Sequence, residues 1–189
     1  MQTDVNPSDS LLAGFISLEE IKPGLTLITG PRGSGKTQWC VKVFDQASSL
    51  GLRVGGFSSP SVFENGKKIG IHLVDLSSGE RRPLAYRRGS RRGDLLTTDW
   101  QMDVETLEWG NSVLEKAVDC DLFILDELGP LEFNHGVGLT AGFGIIEKQR
   151  NLPVFVSVRP SLLPEALLRW YWAGVLNVST VERPHDSRP

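Results

Sequence analysis

Apolar residues along this chain fall into two kinds of segment. Short, nearly continuous runs occupy residues 25–29, 121–125, 154–158 and 175–180. Runs of that length bounded by turn residues predict buried strands. Residues 52–60 read as a further strand. Between these runs the spacing changes. Trp39, Cys40, Val43, Phe44 and Ala47 recur every three or four positions over residues 36–50, which predicts a helix, and Gly51 stands where a helix-ending glycine belongs. Asp103 is a suitable N-cap for a helix with Val104, Leu107, Val113, Leu114, Ala117 and Val118 on its apolar face. Two more helices are expected, over residues 138–149 and over residues 161–172 with Pro164 in the first turn.

The stretch after residue 60 departs from this alternation. Asn65-Gly66 separates two strand-like runs, residues 61–64 and 68–76, and that dipeptide is a strong hairpin signal. Residues 84–86 suggest one more short strand, and residues 87–100 a loop. Strands alternating with helices predict an α/β fold: helices on both faces of a mostly parallel central sheet, with an inserted β-hairpin. Residues 1–10 read as a polar tail, and residues 11–21 fit a short strand or a short helix equally. The expected division is an N-terminal extension over 1–24, a domain over 25–183 and a tail over 184–189.

Composition narrows the class. The chain has 189 residues, 40% hydrophobic and 23% charged, enough apolar mass for one cored domain. A net charge of −3 argues against a protein whose main task is gripping nucleic acid. Arg81, Arg82, Arg87, Arg88, Arg91 and Arg92 form a basic cluster that reads first as a solvated loop. No run approaches the ~18 apolar residues of a membrane span. Together with the polar, acidic start, this leads to the expectation of a cytoplasmic protein. Cys40 and Cys120 lie in apolar stretches with no metal-ligand spacing, and His72, His135 and His185 show none either.

The candidate chemistry begins at Gly30-Pro31-Arg32-Gly33-Ser34-Gly35-Lys36-Thr37, which matches G-x-x-x-x-G-K-[ST] between a strand and a helix. Small residues let successive main-chain N–H groups surround a phosphate, and the helix N-terminus adds partial positive charge. Lys36 would reach the β- and γ-phosphates, and the Thr37 hydroxyl would bind Mg²⁺. The apolar run 121–125 ends in Asp126-Glu127. Beside a phosphate loop this is the Walker B pattern: Asp126 would hold Mg²⁺ and Glu127 would act as general base toward water. The expected partner is ATP or another nucleoside triphosphate. Trp170, Tyr171 and Trp172 suggest packing, with base stacking by Tyr171 as an alternative.

These residues together resemble the small thermophile and cancer-related nucleoside-triphosphatases. The likeness covers about residues 25–183 and rests on GPRGSGKT, GGFSSP, NGKKIGIHLVDLSSG, WQMDVETLE, LFILDELGPLE and VFVSVRP. It implies a RecA-like P-loop three-layer sandwich and slow Mg²⁺-dependent hydrolysis of ATP, GTP and other triphosphates. It also implies a charge-sensing role for Arg159, a polar sensor at Ser157 and a nucleotide contact at Arg183, although the asparagine that usually precedes that arginine is missing here. Two other functions stay open: a nucleotide or small-molecule kinase, and a nucleotide-gated adaptor for RNA or protein.

Overall fold

A computed structural model describes residues 22–89, 95–97, 99–116 and 119–178. One sheet organises it. Five strands run parallel in the order β10-β1-β9-β8-β2, where β1 is Gly24–Thr29, β2 Val54–Ser58, β8 Leu122–Leu128, β9 Pro153–Val158 and β10 Gly174–Asn177. These are the apolar runs of the sequence. The residues of β1, β2, β8 and β9 are mostly buried on both faces, as parallel strands require, whereas β10 is an exposed edge. In β8, Leu122 and Ile124 face one side while Phe123 and Leu125 face the other, and all four are fully buried.

Helix α1, Lys36–Ser49, covers the first face. Its Trp39, Cys40, Val43 and Ala47 pack on Ile28, Leu122, Ile124 and Phe155, with Trp39 edge-on to Phe155 at 5.2 Å. The opposite face carries α2 (Val104–Lys116), α3 (Pro130–His135), α4 (Ala141–Lys148) and α5 (Leu163–Arg169). Leu107, Leu114, Ile146 and Trp170 meet Phe123, Leu125, Val154 and Val156 there. Each such side chain contributes roughly 1.5–3 kcal/mol through burial. Asp103 caps α2 as expected: its carboxylate accepts the Thr106 N–H at 2.9 Å. Trp170 is core, clustered with Phe133 and Phe143 at 5.8 and 5.7 Å. Cys40 is buried, in keeping with a small apolar role.

The inserted segment is larger than a hairpin. Strand β3 (Ser61–Glu64) pairs with β4 (Lys67–Asp75) around the Asn65-Gly66 turn. Beyond it β5 (Arg81–Arg87), β7 (Trp100–Met102) and β6 (Leu95–Leu96) continue the sheet antiparallel from the edge of β2. Part of the expected 87–100 loop is therefore strand. Three helical boundaries also differ. The helix expected over 138–149 begins at Ala141, α3 stands ahead of it, and the one expected over 161–172 is a 3₁₀ turn at Pro160–Leu162 followed by α5.

The junction between the parallel and antiparallel halves is Gly56. It pairs with Ile124 of β8, and its φ is +99°. A Cβ placed there would lie 1.9 Å from the Ile124 carbonyl oxygen. Gly56→Ala combines a left-handed backbone cost with a backbone clash. It is expected to destabilise the fold by about 3 kcal/mol or more in denaturant unfolding. A loss below ~1 kcal/mol would contradict this crossing geometry.

Candidate active site

Residues 30–35 link β1 to α1 as a tight turn. Gly33 and Gly35 take φ of +79° and +100°, and the Ser34 N–H donates to the Pro31 carbonyl at 3.1 Å. This left-handed backbone turns the main chain back over the start of a 14-residue helix with no acidic residue in its first turn. The positive end of that helix therefore faces the cleft uncompensated. Lys36 curls over the loop, its Nζ donating to the carbonyls of Gly30 at 2.7 Å and Pro31 at 3.1 Å. Partial burial lowers the Lys36 pKa, while the carboxylates of Glu127 and Asp126 oppose that shift.

The tip of β8 stands opposite. Pairing between β8 and β9 shifts register between Leu125 and Leu128, and inside that irregularity Glu127 has φ +79°. A non-glycine residue in this region is strained and uncommon. Its effect is to break the strict alternation of the strand, so that Glu127 turns to the cleft on the same side as the buried Asp126. Asp126 points inward, 1% exposed. Its Oδ2 accepts the Ser59 N–H at 3.0 Å, while the Ser59 hydroxyl donates to the Asp126 carbonyl at 2.8 Å. Burial raises the Asp126 pKa; the Ser59 N–H and the nearby hydroxyls of Thr37 and Ser157 favour the charged form. Asp126 Oδ1 and the hydroxyl oxygens of Thr29, Ser34 and Ser157 are buried and have no hydrogen-bond partner among the described residues. Buried polar atoms are normally paired. A carboxylate oxygen and hydroxyls left unpaired together are the donor set a hard cation with its waters would satisfy.

Glu127 turns toward the cleft and meets Arg159, whose Nε donates to Glu127 Oε1 at 2.7 Å and whose second terminal nitrogen pairs with the same oxygen. Arg159 lies just past β9, the strand between β1 and β8, so the sheet order brings it to the acid. Below them Glu132 is 8% exposed. Its two oxygens accept the N–H groups of Gly129 at 2.8 Å and Leu139 at 2.9 Å, pinning α3 and the turn before α4. Burial raises the Glu132 pKa, against the pull of these N–H groups.

All of this faces one cleft of about 1680 Å³. Arg32, Gly33, Gly35, Lys36 and Thr37 line it from the loop, Glu127 and Arg159 from the strand ends, and Phe63, Lys68 and Trp100 from the insertion. Gly30 and Pro31 supply the carbonyls that hold Lys36, and Ser34 turns inward. Tyr171 stands outside the cleft, 80% exposed, edge-on to Trp172 at 5.1 Å. The arginine cluster is divided. Arg82 pairs with Glu80 and stacks on Trp109 at one end of β5, while Arg88 reaches the cleft at the other. Arg91, Arg92, His185 and Arg183 lie outside the described residues. Ser59, Lys68 and the anchoring by Glu132 were not anticipated. The serine pair in GGFSSP and the second glutamate in DELGPLE were the available signals.

A glycine turn that aims a helix N-terminus into a cleft is a phosphate-binding device, and a chain built around it on a parallel sheet is an α/β nucleotide-binding protein. Comparison with known proteins makes this specific. Residues 26–141 match the family model described as NTPase. The nucleoside-triphosphatase THEP1 of Caldivirga maquilingensis is 34% identical over 125 residues, covering 66% of this chain and 70% of that protein. THEP1 of Methanopyrus kandleri is 31% identical, covering 72% and 81% respectively. The solution structure of a human cancer-related nucleoside triphosphatase aligns with a TM-score of 0.62 at 25% identity, covering 83% of this chain and 89% of that one. The chain belongs to the NTPase family and is a nucleoside-triphosphate hydrolase. Among the described residues no helix is long and apolar enough to cross a membrane.

The double acceptor role of Glu132 yields a stability test. Glu132→Gln keeps the shape but offers one carbonyl oxygen to two buried N–H groups. It is expected to lower unfolding free energy by about 2 kcal/mol, read from the urea midpoint at constant m-value. An unchanged midpoint would remove Glu132 from its anchoring role.

Proposed function

We propose that this protein hydrolyses ATP, GTP and other nucleoside triphosphates to the diphosphate and phosphate in a Mg²⁺-dependent reaction, with water activated by Glu127. The observation that carries the proposal is the register break at the tip of β8. It brings two adjacent carboxylates to the same side of the sheet end, one buried beside Thr37 and one open to the cleft facing Lys36.

The roles follow from position. Main-chain N–H groups of residues 30–37 and the start of α1 cradle the β-phosphate. Lys36, already bent toward its own loop, exchanges the Gly30 and Pro31 carbonyls for β- and γ-phosphate oxygens. Thr37 and Asp126 would hold Mg²⁺, with Ser59 and Ser157 behind them; the bound ion neutralises charge on phosphate oxygens. Glu127 orients a water for in-line attack and accepts its proton. Arg159 aims Glu127 in the resting enzyme and is placed to meet charge at the γ-phosphate. Strand β9 between β1 and β8, with helices on both faces, supports a RecA-like three-layer assignment for residues 25–183. We assign the nucleotide contact at Arg183 on family likeness alone.

Two variants test the scheme. Lys36→Ala is expected to weaken binding of a non-hydrolysable triphosphate by at least about tenfold, since charged hydrogen bonds contribute roughly 1.5–3 kcal/mol each. Undiminished affinity in calorimetry would reject the loop assignment. Glu127→Gln should retain binding while kcat falls about 10²–10³-fold. Wild-type phosphate release from that variant would exclude Glu127 as the base. With γ-labelled ATP, label recovered on an added nucleoside or monophosphate would establish a kinase instead.

A further inference from the structure

We propose that Lys68, carried to the cleft by the inserted β3–β4 hairpin, supplies a second cation to the terminal phosphate as it is transferred. The proposal rests on the hydrolase reading above.

The cations of the cleft are not equivalent. Lys36 is engaged by two loop carbonyls. Arg159 is engaged by Glu127, and Arg32, 78% exposed, lies 3.9 Å from Asp99. Lys68 has no carboxylate within ion-pair distance among the described residues. Its ammonium sits 5.0 Å from the centre of the Trp100 ring. That placement needs three strands. Lys68 is near the start of β4, opposite Phe63 of β3, and Trp100 begins β7 on the far side of β5. A ring face attracts a cation but leaves its N–H donors free for anionic oxygens. Half-burial also depresses the Lys68 pKa. The charges acting on it are Glu127, Arg32, Arg159 and Asp126, so it shares the field of the catalytic acids although it lies almost sixty residues away in sequence.

A half-buried ammonium with no carboxylate at ion-pair distance among the described residues is favoured by an incoming anion. Here the incoming anion is the polyphosphate. In the proposed binding mode the loop surrounds the β-phosphate, and Lys68 on the facing wall shares the field of Glu127 and Arg159 as well as that of Arg32 in the loop. The lysine is therefore matched to charge that develops on the terminal group during bond cleavage. No covalent step is added: the P–O bond to the leaving diphosphate breaks, the water oxygen bonds to phosphorus, and Glu127 takes the proton.

The test compares the full-length wild type, Lys68→Met and Lys68→Arg, using γ-labelled ATP with Mg²⁺ and scoring total label lost and its destination separately. Lys68→Met is expected to lower kcat about 100-fold with KM within about threefold. Lys68→Arg, which keeps the charge, should return kcat to within about tenfold of wild type. Three outcomes overturn the proposal: a Met variant with wild-type kcat, a Met variant whose KM rises while kcat holds, or an Arg variant as slow as Met. The thermal midpoint of each variant excludes unfolding as the cause. The destination of the label judges the hydrolase reading independently, because the Met-to-wild-type ratio is read on total γ-phosphoryl loss whichever acceptor takes it.

Discussion

A carboxylate stripped of water at the centre of a sheet is the constraint around which this molecule is arranged. Asp126 is almost wholly buried, and its Oδ2 accepts the backbone N–H of Ser59. Burying such a group is unfavourable unless partners replace the lost water. The neighbouring strand end, the first turn of α1 and the tip of β9 all bring polar atoms to it, and the Ser157 hydroxyl among them has no other partner among the described residues. Strand order follows from the same need. With β9 between β1 and β8, Ser157 reaches Asp126 and Arg159 reaches Glu127.

The second adjustment is local. Neighbouring residues in a regular strand point to opposite faces, so Asp126 and Glu127 could not both serve one cleft from an unbroken β8. The left-handed turn at Glu127 and the slipped pairing with β9 resolve that conflict. The strain is held by the flanking ladder and by the Arg159 guanidinium, which fixes where the free carboxylate points.

Much of this was legible in the amino-acid order, for identifiable reasons. Strands β1, β8 and β9 are covered on both faces, so their residues are mostly apolar. The loop before α1 is constrained by backbone conformation, which only glycine at set positions meets. Other features lacked such a signature. Helix α3 has six residues, too few for periodicity, and it is secured by the Glu132 carboxylate accepting the Gly129 and Leu139 N–H groups, which apolar spacing does not reveal. Strand β7 has only three residues and follows a polar, arginine-rich stretch, so its pairing with β5 leaves no periodic signal. The direction of Lys68 depends on which side of a three-strand array it occupies. Ser59 looks like any turn serine until the sheet places it against Asp126.

Ser59 lies directly between the last residue of β2 and the hairpin that begins at Ser61. The residue that grips the buried acid is therefore also the pivot on which the antiparallel wall hangs. Wall and acid cannot be adjusted separately: tilting one drags the other through a single peptide unit. A lineage that reshapes the wall to admit a different guest must do so further out, beyond Pro60, or forfeit the alignment of its own reaction centre.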